Sequence, residues 1–341
     1  MMARVVTFGE IMLRLSPPGY LRFEQAGSFD AVYGGGEANV AVSLSHFGLD
    51  SVFVSRIPDN PIGQAALNGL RRYGVDVTRV ARGGERLGIY FYEKGASQRP
   101  SKVVYDRAHS AIAEATPADF DWKAILSGAA WLHVTGIAPA LSDACADAAM
   151  TACATARALG CTVSCDLNFR KNLWSPAKAS NVMTPLMKYV DICIANEEDS
   201  EKVFGIHAGG SNVAQGTLDD EGYRQVAAEL VRRFGFKAAA ITLRGSITAS
   251  DNTWGAMIHD ANGSHFSRRY PIHIVDRVGG GDAFAAGLIY GILSGMDRTE
   301  VLEFAVAASC LKHTIEGDTN HVTVAEVKAL MAGGGSGRVQ R

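Results

Sequence analysis

Strand-like and helical patterns alternate along most of this chain, and that alternation limits the possible folds more than any other feature of the sequence. Short apolar runs are followed by longer segments whose apolar residues recur every three or four positions. Such alternation implies βαβ units, in which helices cover the faces of a parallel sheet and ligands bind beyond the C-terminal strand ends. The predicted strands are 5–9, 51–55, 131–134, 162–166, 191–195 and 238–243. The predicted helices are 39–47, 61–73, 143–159, 176–188, 222–234, 282–294, 299–313 and 324–331.

Two segments, 12–32 and 87–106, do not follow the alternation. They contain the short β-like pieces FDAVY, GIYFYE and KVVYD, which no long helix separates. Strands of this kind usually pair antiparallel, so we predict a small sheet outside the main one. Two separate surface hairpins are the alternative. The last residues, 333–341 (GGGSGRVQR), have the composition of a flexible tail.

The charge balance and the missing motifs exclude several classes of protein. Lysine and arginine number 33 against 35 acidic residues, which leaves a net charge of -2 without a basic run. We therefore expect a small-molecule partner, with no nucleic acid and no membrane surface. No segment approaches the roughly 18 consecutive apolar residues of a membrane helix and no signal-peptide pattern is present, so we expect a cytoplasmic location. The cysteines form no C-x-x-C pair, and both the P-loop and the G-x-G-x-x-G fingerprint are missing.

The stretch DRVGGGDAFAAG, at 276–287, has the composition of an anion-binding loop at the start of a helix. Its glycines, Gly279, Gly280 and Gly281, allow backbone conformations in which several N–H groups converge. Asp282 falls on the first helical turn, where the helix dipole favours negative charge and should keep this carboxylate ionised. Amides that stabilise a phosphoryl group in transfer, beside a carboxylate that accepts the proton of the attacking hydroxyl, would explain the arrangement. A tight turn with Asp282 as the helix cap is the alternative.

A second glycine-rich helix start, YGGGEANVAVSLSHFG, spans 33–48. Its glycines include Gly34 and Gly35, and Asn39 follows on the first turn of the predicted helix. Backbone amides and an asparagine amide both donate and accept hydrogen bonds without adding charge, which suits a polyhydroxylated ligand. The alternative is an ordinary helix start with Asn39 as a polar first-turn residue.

These two stretches resemble the signatures of the ribokinase-like (PfkB) sugar kinases. The stretch 276–287 is similar to their C-terminal signature D-T-V-G-A-G-D-x-F-x-x-G, although Arg277 replaces a small residue and Gly280 replaces alanine. The stretch 33–48 is similar to their N-terminal signature G-G-x-x-x-N-x-A, which touches the sugar. Two matches in the right order, about 240 residues apart, indicate the family far more strongly than either one.

The resemblance implies a fold, cofactors and partners. The fold is α/β, a ribokinase-like three-layer α/β/α domain over 1–332 with a mainly parallel central sheet and a small β-sheet lid. The lid, here at about 12–33 and 87–108, covers the sugar in this family and often mediates dimerisation, which implies a homo-oligomer. The cofactors implied are ATP and Mg²⁺. Asp282 would be the catalytic base, and Gly279, Gly280 and Gly281 would surround the transferred group.

Three further stretches resemble the nucleotide and metal segments of the family. Asn168 and Arg170, in CDLNFRKNLW, stand where the family has a segment between nucleotide and sugar. Asn196 and Asp199, in IANEEDSEKVFG, resemble the N-x-x-E motif that organises Mg²⁺ and phosphates, with an aspartate that would reach the metal through water. Other nucleotide-binding residues implied are Arg244, Gly245, Ser246 and Thr248, in ITLRGSITA, and Ser309. A surface salt bridge for Arg170 and solvated helix charges around Asp199 are the alternatives.

The lid segments indicate which sugar is bound. Tyr105 and Arg107 resemble the Y-x-R stretch with which 2-keto-3-deoxygluconate kinases meet the substrate carboxylate, with Arg170 in support and Tyr90 beside them. We therefore predict transfer of the γ-phosphoryl of ATP to the 6-hydroxyl of 2-keto-3-deoxygluconate, giving 2-keto-3-deoxy-6-phosphogluconate. The alternatives are a neutral-sugar kinase, fructokinase- or ribokinase-like, and a non-catalytic sugar- or nucleotide-binding regulator. An intact Asp282 speaks against the regulator.

Overall fold

The structure is a computed structural model that describes residues 2–207 and 219–334, so the predicted tail lies outside the described residues from residue 335 onward. The strands, numbered along the chain, are β1 (Arg4–Phe8), β2 (Met12–Ser16), β3 (Asp30–Gly34), β4 (Asp50–Val54), β5 (Arg56–Ile57), β6 (Ala81–Arg82), β7 (Gly88–Glu93), β8 (Lys102–Asp106), β9 (Trp131–Thr135), β10 (Thr162–Asp166), β11 (Ile192–Ala195), β12 (Ala238–Ser246), β13 (Asp251–Asp260), β14 (Gly263–Phe266) and β15 (Tyr270–His273). The helices are α1 (Gly36–His46), α2 (Pro61–Arg71), α3 (Trp122–Leu126), α4 (Ile137–Leu141), α5 (Asp143–Ala158), α6 (Pro176–Leu186), α7 (Glu197–Phe204), α8 (Asp220–Phe234), α9 (Gly280–Leu293), α10 (Arg298–Lys312) and α11 (Val324–Met331).

A sheet of nine strands forms the centre of the fold. Six of them run parallel in the order β4-β1-β9-β10-β11-β12, and these are the six strands predicted from the alternation. Their ends agree with the prediction to within one residue, except that β12 continues to Ser246. Strands β13, β14 and β15 extend the sheet antiparallel. The alternation does not predict this edge, because no helix separates these strands.

Neighbouring residues of one strand enter opposite faces of the sheet, as the pleat requires. Val6 of β1 belongs to a buried cluster with residues of α3, α5, α6 and α8. Val5 belongs to a second cluster, on the other face, with residues of α1, α9, α10 and α11. Because both faces are buried, these strands are continuous apolar runs in the sequence. The predicted three-layer α/β/α architecture is confirmed.

The helices begin in two different ways. Most have a polar side chain at the N-cap, such as Ser142, whose hydroxyl accepts the Cys145 N–H of α5 at 3.0 Å. In contrast, α1 begins at Gly35 and α9 at Gly279, and neither has a side-chain cap. No capping side chain therefore competes with a ligand for their first turns, although the Gly280 N–H donates to the Arg277 carbonyl at 3.4 Å. Asp282 lies inside α9 and the N-cap is Gly279, so the alternative in which Asp282 caps the helix is wrong.

A separate sheet of four strands, in the order β3-β2-β7-β8, forms the lid. The predicted small sheet is thus confirmed, and both outer pairs are antiparallel as expected. The central pair, β2 with β7, is parallel, which the long connection between these two segments permits and a hairpin turn would not. On the inner face of the lid, Met12, Tyr90 and Tyr92 pack against Val278, which precedes α9. The lid therefore covers the glycine loop.

The outer strand of the lid, β8, is exposed at all five positions, and its second edge pairs with no other described strand. Within the ranges 2–207 and 219–334, no helix combines the length and apolarity needed to cross a membrane. The cytoplasmic location and the single domain over 1–332 stay predictions.

Candidate active site

A cavity of about 780 Å³ lies between the lid and the carboxyl ends of the central strands. It brings together residues from both glycine-rich stretches, the lid and the loops after β10 and β11. The sequence-predicted residues that line it are Gly35, Asn39, Tyr90, Tyr105, Arg107, Asn168, Arg170, Asn196, Asp199, Arg244, Gly279, Gly280, Gly281 and Asp282. The predicted residues that do not line it are Gly34, Gly245, Ser246, Thr248 and Ser309. Most predicted site residues, though distant in sequence, therefore share one cavity.

The residues outside the cavity wall have structural contacts. The Ser309 hydroxyl donates to the Gly280 carbonyl at 2.6 Å, so it supports the glycine loop from beneath. The Thr248 hydroxyl accepts the N–H of Ser250 at 3.1 Å and that of Asp251 at 2.8 Å, which holds the β12–β13 turn. A Cβ on Gly34 would overlap the carboxylate of Asp318. Each of these residues shapes its neighbours in the structure.

Residues 276–281, here called the anion loop, need glycine for identifiable reasons. Gly279 has φ +82°, in the left-handed region, and a Cβ there would overlap the carbonyl oxygen of Asp318. A Cβ on Gly280 would overlap the ring of His313, which explains why this chain has glycine where the family usually has alanine. Gly281 has no atom within 4 Å of the place where a Cβ would stand. The loop is packed tightly from behind and open at Gly281.

Asp282 and Asn39 connect the two glycine-rich stretches directly. The Asn39 side-chain amide donates to Oδ2 of Asp282 at 2.7 Å, although the two residues are 243 positions apart. Burial raises the pKa of the Asp282 carboxyl to about 6, with the Asn39 hydrogen bond and Arg170 acting in the opposite direction and Asp318 adding to the rise. This pKa agrees with the expectation of an ionised Asp282 at neutral pH, although burial moves the pKa above that of an ordinary aspartate. The carboxylate is consequently a stronger base than an ordinary aspartate and is still mostly ionised at pH 7.

Arg107 is buried in the lid and is already paired. Its guanidinium donates to Glu10, and the other oxygen of Glu10 accepts the Ser110 hydroxyl at 3.0 Å. Arg107 Nε, also buried, has no hydrogen-bond partner among the described residues. The Arg107 guanidinium carbon lies 5.3 Å from the centre of the Tyr105 ring. Glu10, directly after β1, does not line the cavity but holds Arg107, which does, and it is not among the residues predicted from the sequence.

Arg14 joins the lid to the anion loop. It donates to Asp276 Oδ2 at 2.6 Å and to Asp318 Oδ1 at 2.7 Å, and all three side chains are buried. The Tyr90 hydroxyl also donates to Asp318. Burial by itself would lower the pKa of Arg14, but Asp318 and Asp276 raise it. These residues are not among those predicted from the sequence, although Arg14 shares the buried face of β2 with Met12 and Ser16, which is a signal visible in the sequence.

Asp166 and Asp199 place two carboxylates on the cavity wall. Asp199 Oδ1 accepts the Phe169 N–H at 2.8 Å, and burial raises the pKa of Asp199 to about 7. Burial, Asp199 and Asp282 raise the pKa of Asp166 well above its usual value. In the part of the chain that the structure describes, no three acidic, histidine or cysteine side chains form a cage for a metal ion. Two carboxylates do fit Mg²⁺ that arrives with phosphates and keeps several waters.

The part of the cavity next to β12 and β13 is lined by Arg244, Trp254, Arg277 and His313. Arg277 donates to the Ala249 carbonyl at 3.2 Å. Neither arginine has a carboxylate within ion-pair distance among the described residues. This end of the cavity thus combines positive charge with an aromatic side chain.

Comparisons with known proteins agree with this geometry. The model of the pfkB family carbohydrate kinases matches residues 2–324. A 2-dehydro-3-deoxygluconokinase structure from Thermotoga maritima is 54% identical, with a TM-score of 0.93 over 97% of this chain and 99% of that chain. A 2-dehydro-3-deoxygalactonokinase of Haloferax volcanii is 33% identical over 99% of each chain. A fructokinase structure with bound ATP from Xylella fastidiosa is 19% identical, with a TM-score of 0.77 over 98% of this chain and 99% of that chain, which is a likeness of fold alone. The predicted ribokinase-like fold is confirmed, and the chain belongs to the pfkB family of carbohydrate kinases.

Proposed function

We propose that the protein transfers the γ-phosphoryl group of ATP, with Mg²⁺, to the 6-hydroxyl of 2-keto-3-deoxygluconate (2-dehydro-3-deoxygluconate). The product is 2-keto-3-deoxy-6-phosphogluconate. One observation carries the proposal: Asp282, the uncapped start of α9 and the lid residue Arg107 share one cavity. The relatives from Thermotoga maritima and Haloferax volcanii, both named for 2-dehydro-3-deoxy sugar acids, support this class of substrate.

The residues present can perform each part of the transfer. Asp282 accepts the proton of the 6-hydroxyl as its oxygen bonds to the γ-phosphorus, while the bond to the bridging oxygen breaks and ADP leaves with the electron pair. The first N–H groups of α9 stabilise the charge on the phosphoryl oxygens. Asn39 orients the Asp282 carboxylate through its 2.7 Å hydrogen bond. Mg²⁺, when bound with the nucleotide, would neutralise phosphate charge, and Asp199 with Asp166 would hold it.

Arg107 and Arg170 support a substrate that carries a carboxylate. Arg107 keeps an unpartnered buried Nε, and a buried donor without a partner costs about 1 to 3 kcal/mol, which a ligand oxygen would remove. Arg170 lines the same cavity and pairs with no carboxylate among the described residues. Tyr90 and Tyr105, with ring centres 5.9 Å apart, lie on the lid beside them. These groups provide positive charge and hydroxyls on the sugar side.

One observation favours a neutral-sugar kinase as the second candidate. Glu10 already balances the charge of Arg107, so a substrate without a carboxylate would not leave that arginine unpaired. The Haloferax volcanii relative is named for the galactonate epimer, so 2-keto-3-deoxygalactonate is a further candidate substrate. The substrate therefore has to be tested against both.

The test measures ADP release with 2-keto-3-deoxygluconate, 2-keto-3-deoxygalactonate, fructose and ribose as acceptors. We expect kcat/KM for 2-keto-3-deoxygluconate to exceed that for either neutral sugar by about 100-fold or more, the range that one unsatisfied buried charged group produces. Efficient use of fructose or ribose with little turnover of either acid would refute the substrate and leave the kinase activity. The position of the phosphate on the product, read by ³¹P–¹H NMR, tests the 6-hydroxyl.

We also propose a homo-oligomer formed through the lid. Strand β8 has a free edge among the described strands, and such edges are usually covered. Val32, Val103 and Val104 are exposed at 36%, 42% and 53% on the lid strands. Sedimentation velocity at micromolar concentration should give a dimer or larger species, and Val104→Lys on β8 should shift it toward monomer. A fully active wild-type monomer would contradict the proposal.

A further inference from the structure

We propose that Arg277 is a nucleotide-binding residue, which together with Arg244 receives the polyphosphate chain of the nucleoside triphosphate beside the anion loop. The inference rests on the proposed function and adds a residue to it. Where the resemblance has a small uncharged residue at this position, this chain has a cation.

The neighbours of Arg277 keep its backbone in place. Asp276, directly before it, accepts hydrogen bonds from Arg14, from the Val278 N–H at 3.1 Å and from the Gly317 N–H at 3.2 Å. The Arg277 guanidinium donates to the carbonyl of Ala249, beyond the end of β12, at 3.2 Å. Arg277 is half-buried and lines the cavity. Its side chain is therefore held toward the β12–β13 end of the cavity, where Arg244 also lies.

The charges around Arg277 are unbalanced. The charged or titratable groups that act most on it are Arg244, the Tyr92 phenol and Asp276, and its charge also acts on His313. Asp276 is already occupied by Arg14 and two backbone N–H groups, and no described carboxylate pairs with Arg277 or Arg244. Burial and Arg244 accordingly lower the pKa of Arg277. Two guanidinium groups that share a cavity without a counterion are unfavourable, and a bound polyanion would remove that cost.

The position of Arg277 in the cavity favours contact with the nucleotide and not with the sugar acid. Arg244 is on β12, whereas Arg107 is in the lid segment and Arg170 follows β10. Arg277 donates to the turn that follows β12, and the aromatic residue Trp254 pairs with Arg244 across β12 and β13. A guanidinium also suits phosphate oxygens because it offers parallel N–H donors. The competing role is structural, in which Arg277 only ties the anion loop to Ala249.

Calorimetric binding without sugar separates these roles. The ligands are ATP, AMP and inorganic tripolyphosphate, and the variants are Arg277→Met, Arg277→Lys, Arg244→Met and the surface control Arg232→Met, whose side chain pairs with Glu229. We expect Arg277→Met and Arg244→Met to raise Kd for ATP and tripolyphosphate by about 10- to 100-fold, the effect of one charged hydrogen-bond donor. The AMP affinity should change less than about 3-fold, Arg277→Lys should retain most of the ATP affinity, and KM for the sugar acid should stay unchanged.

Two results would overturn the inference. Unchanged ATP and tripolyphosphate affinity in a folded Arg277→Met protein would leave only the tie to Ala249, and equal losses for AMP and ATP would show an effect through the fold. If Arg277→Met does not fold, Arg277→Thr is measured against the same expectation. Wild-type protein that binds no ATP would instead refute the proposed kinase function, an outcome that the variants cannot mimic.

Discussion

The two walls of the cavity handle charge in opposite ways. On the lid wall, Arg14 and Arg107 are buried and each pairs with carboxylates of the protein itself. On the facing wall, Arg170, Arg244 and Arg277 have no such partner among the described residues, and the carboxylates Asp166, Asp199 and Asp282 all have raised pKa values. Apart from Arg107 Nε, which has no hydrogen-bond partner among the described residues, the lid wall is paired without a ligand. The facing wall is electrostatically incomplete.

Paired charges, as on the lid wall, and unpaired charges, as on the facing wall, have different physical consequences. Buried pairs contribute little net stability compared with apolar residues, but removing one partner is costly, so they hold a particular geometry. Unpaired cations and buried carboxylates are unfavourable in the free protein and become favourable when phosphate, metal or a proton arrives. We therefore expect the lid wall to contribute most to selection of the substrate and the facing wall most to catalysis. Four predictions test this division.

The largest effect is expected from Asp282→Asn on the facing wall. Loss of the general base should lower kcat by about 10²- to 10⁴-fold, with Kd for ATP and the melting temperature nearly unchanged. Steady-state kinetics and calorimetry measure the two quantities. Wild-type turnover by the Asn variant would remove Asp282 from the mechanism.

The second-largest effect is expected from Arg14→Met, a substitution on the lid wall. The substitution leaves Asp276 and Asp318 buried without their cation, which should cost about 3 to 5 kcal/mol of the free energy of unfolding. The exposed pair of Arg232 with Glu229 provides the control, since breaking an ion pair that water screens should change the free energy of unfolding far less. Chemical denaturation measures both. Equal losses in the two variants would show that the buried network has no special role.

A smaller effect, about 10- to 150-fold in kcat/KM, is expected from Arg107→Met with 2-keto-3-deoxygluconate. Activity with fructose, which is expected to be low, should hardly change because no substrate carboxylate is involved. Arg86→Met is a matched control, since Arg86 pairs with Asp106 beside the same lid strand and does not line the cavity. Equal losses on both sugars would assign Arg107 to the phosphate, and no loss would assign it to the fold.

The smallest effect concerns pH. Because burial raises the pKa of Asp282 to about 6, the ionised base is present above pH 6 and is lost below it. We expect kcat/KM to fall about tenfold per pH unit below 6. Asn39→Ala removes the hydrogen bond that favours the ionised form, so the acid limb should move to higher pH. An acid limb that Asn39→Ala leaves in place would belong to another group, such as Asp199, whose pKa is about 7.

Local pattern determined much of this protein. The alternation of strands and helices predicts the six parallel strands and the eight principal helices. This works because the buried residues of each element are apolar and recur at a short, regular spacing in the sequence. The two glycine-rich helix starts are also visible in sequence, since glycine is needed where the backbone turns left-handed or approaches another chain segment. Asp282 and Asn39 are found for the same reason, as each follows such a start by only a few residues.

Only the tertiary structure decided which charges are paired. Arg14 meets Asp318 across 304 positions of sequence, and Arg107 meets Glu10 across 97. Gly280 is explained by the ring of His313, and the parallel pairing of β2 with β7 joins two distant segments. Pairing depends on the packing of elements that no local period describes. An arginine has the same local pattern whether its charge is compensated within the protein, as at Arg107, or open to a ligand, as at Arg277.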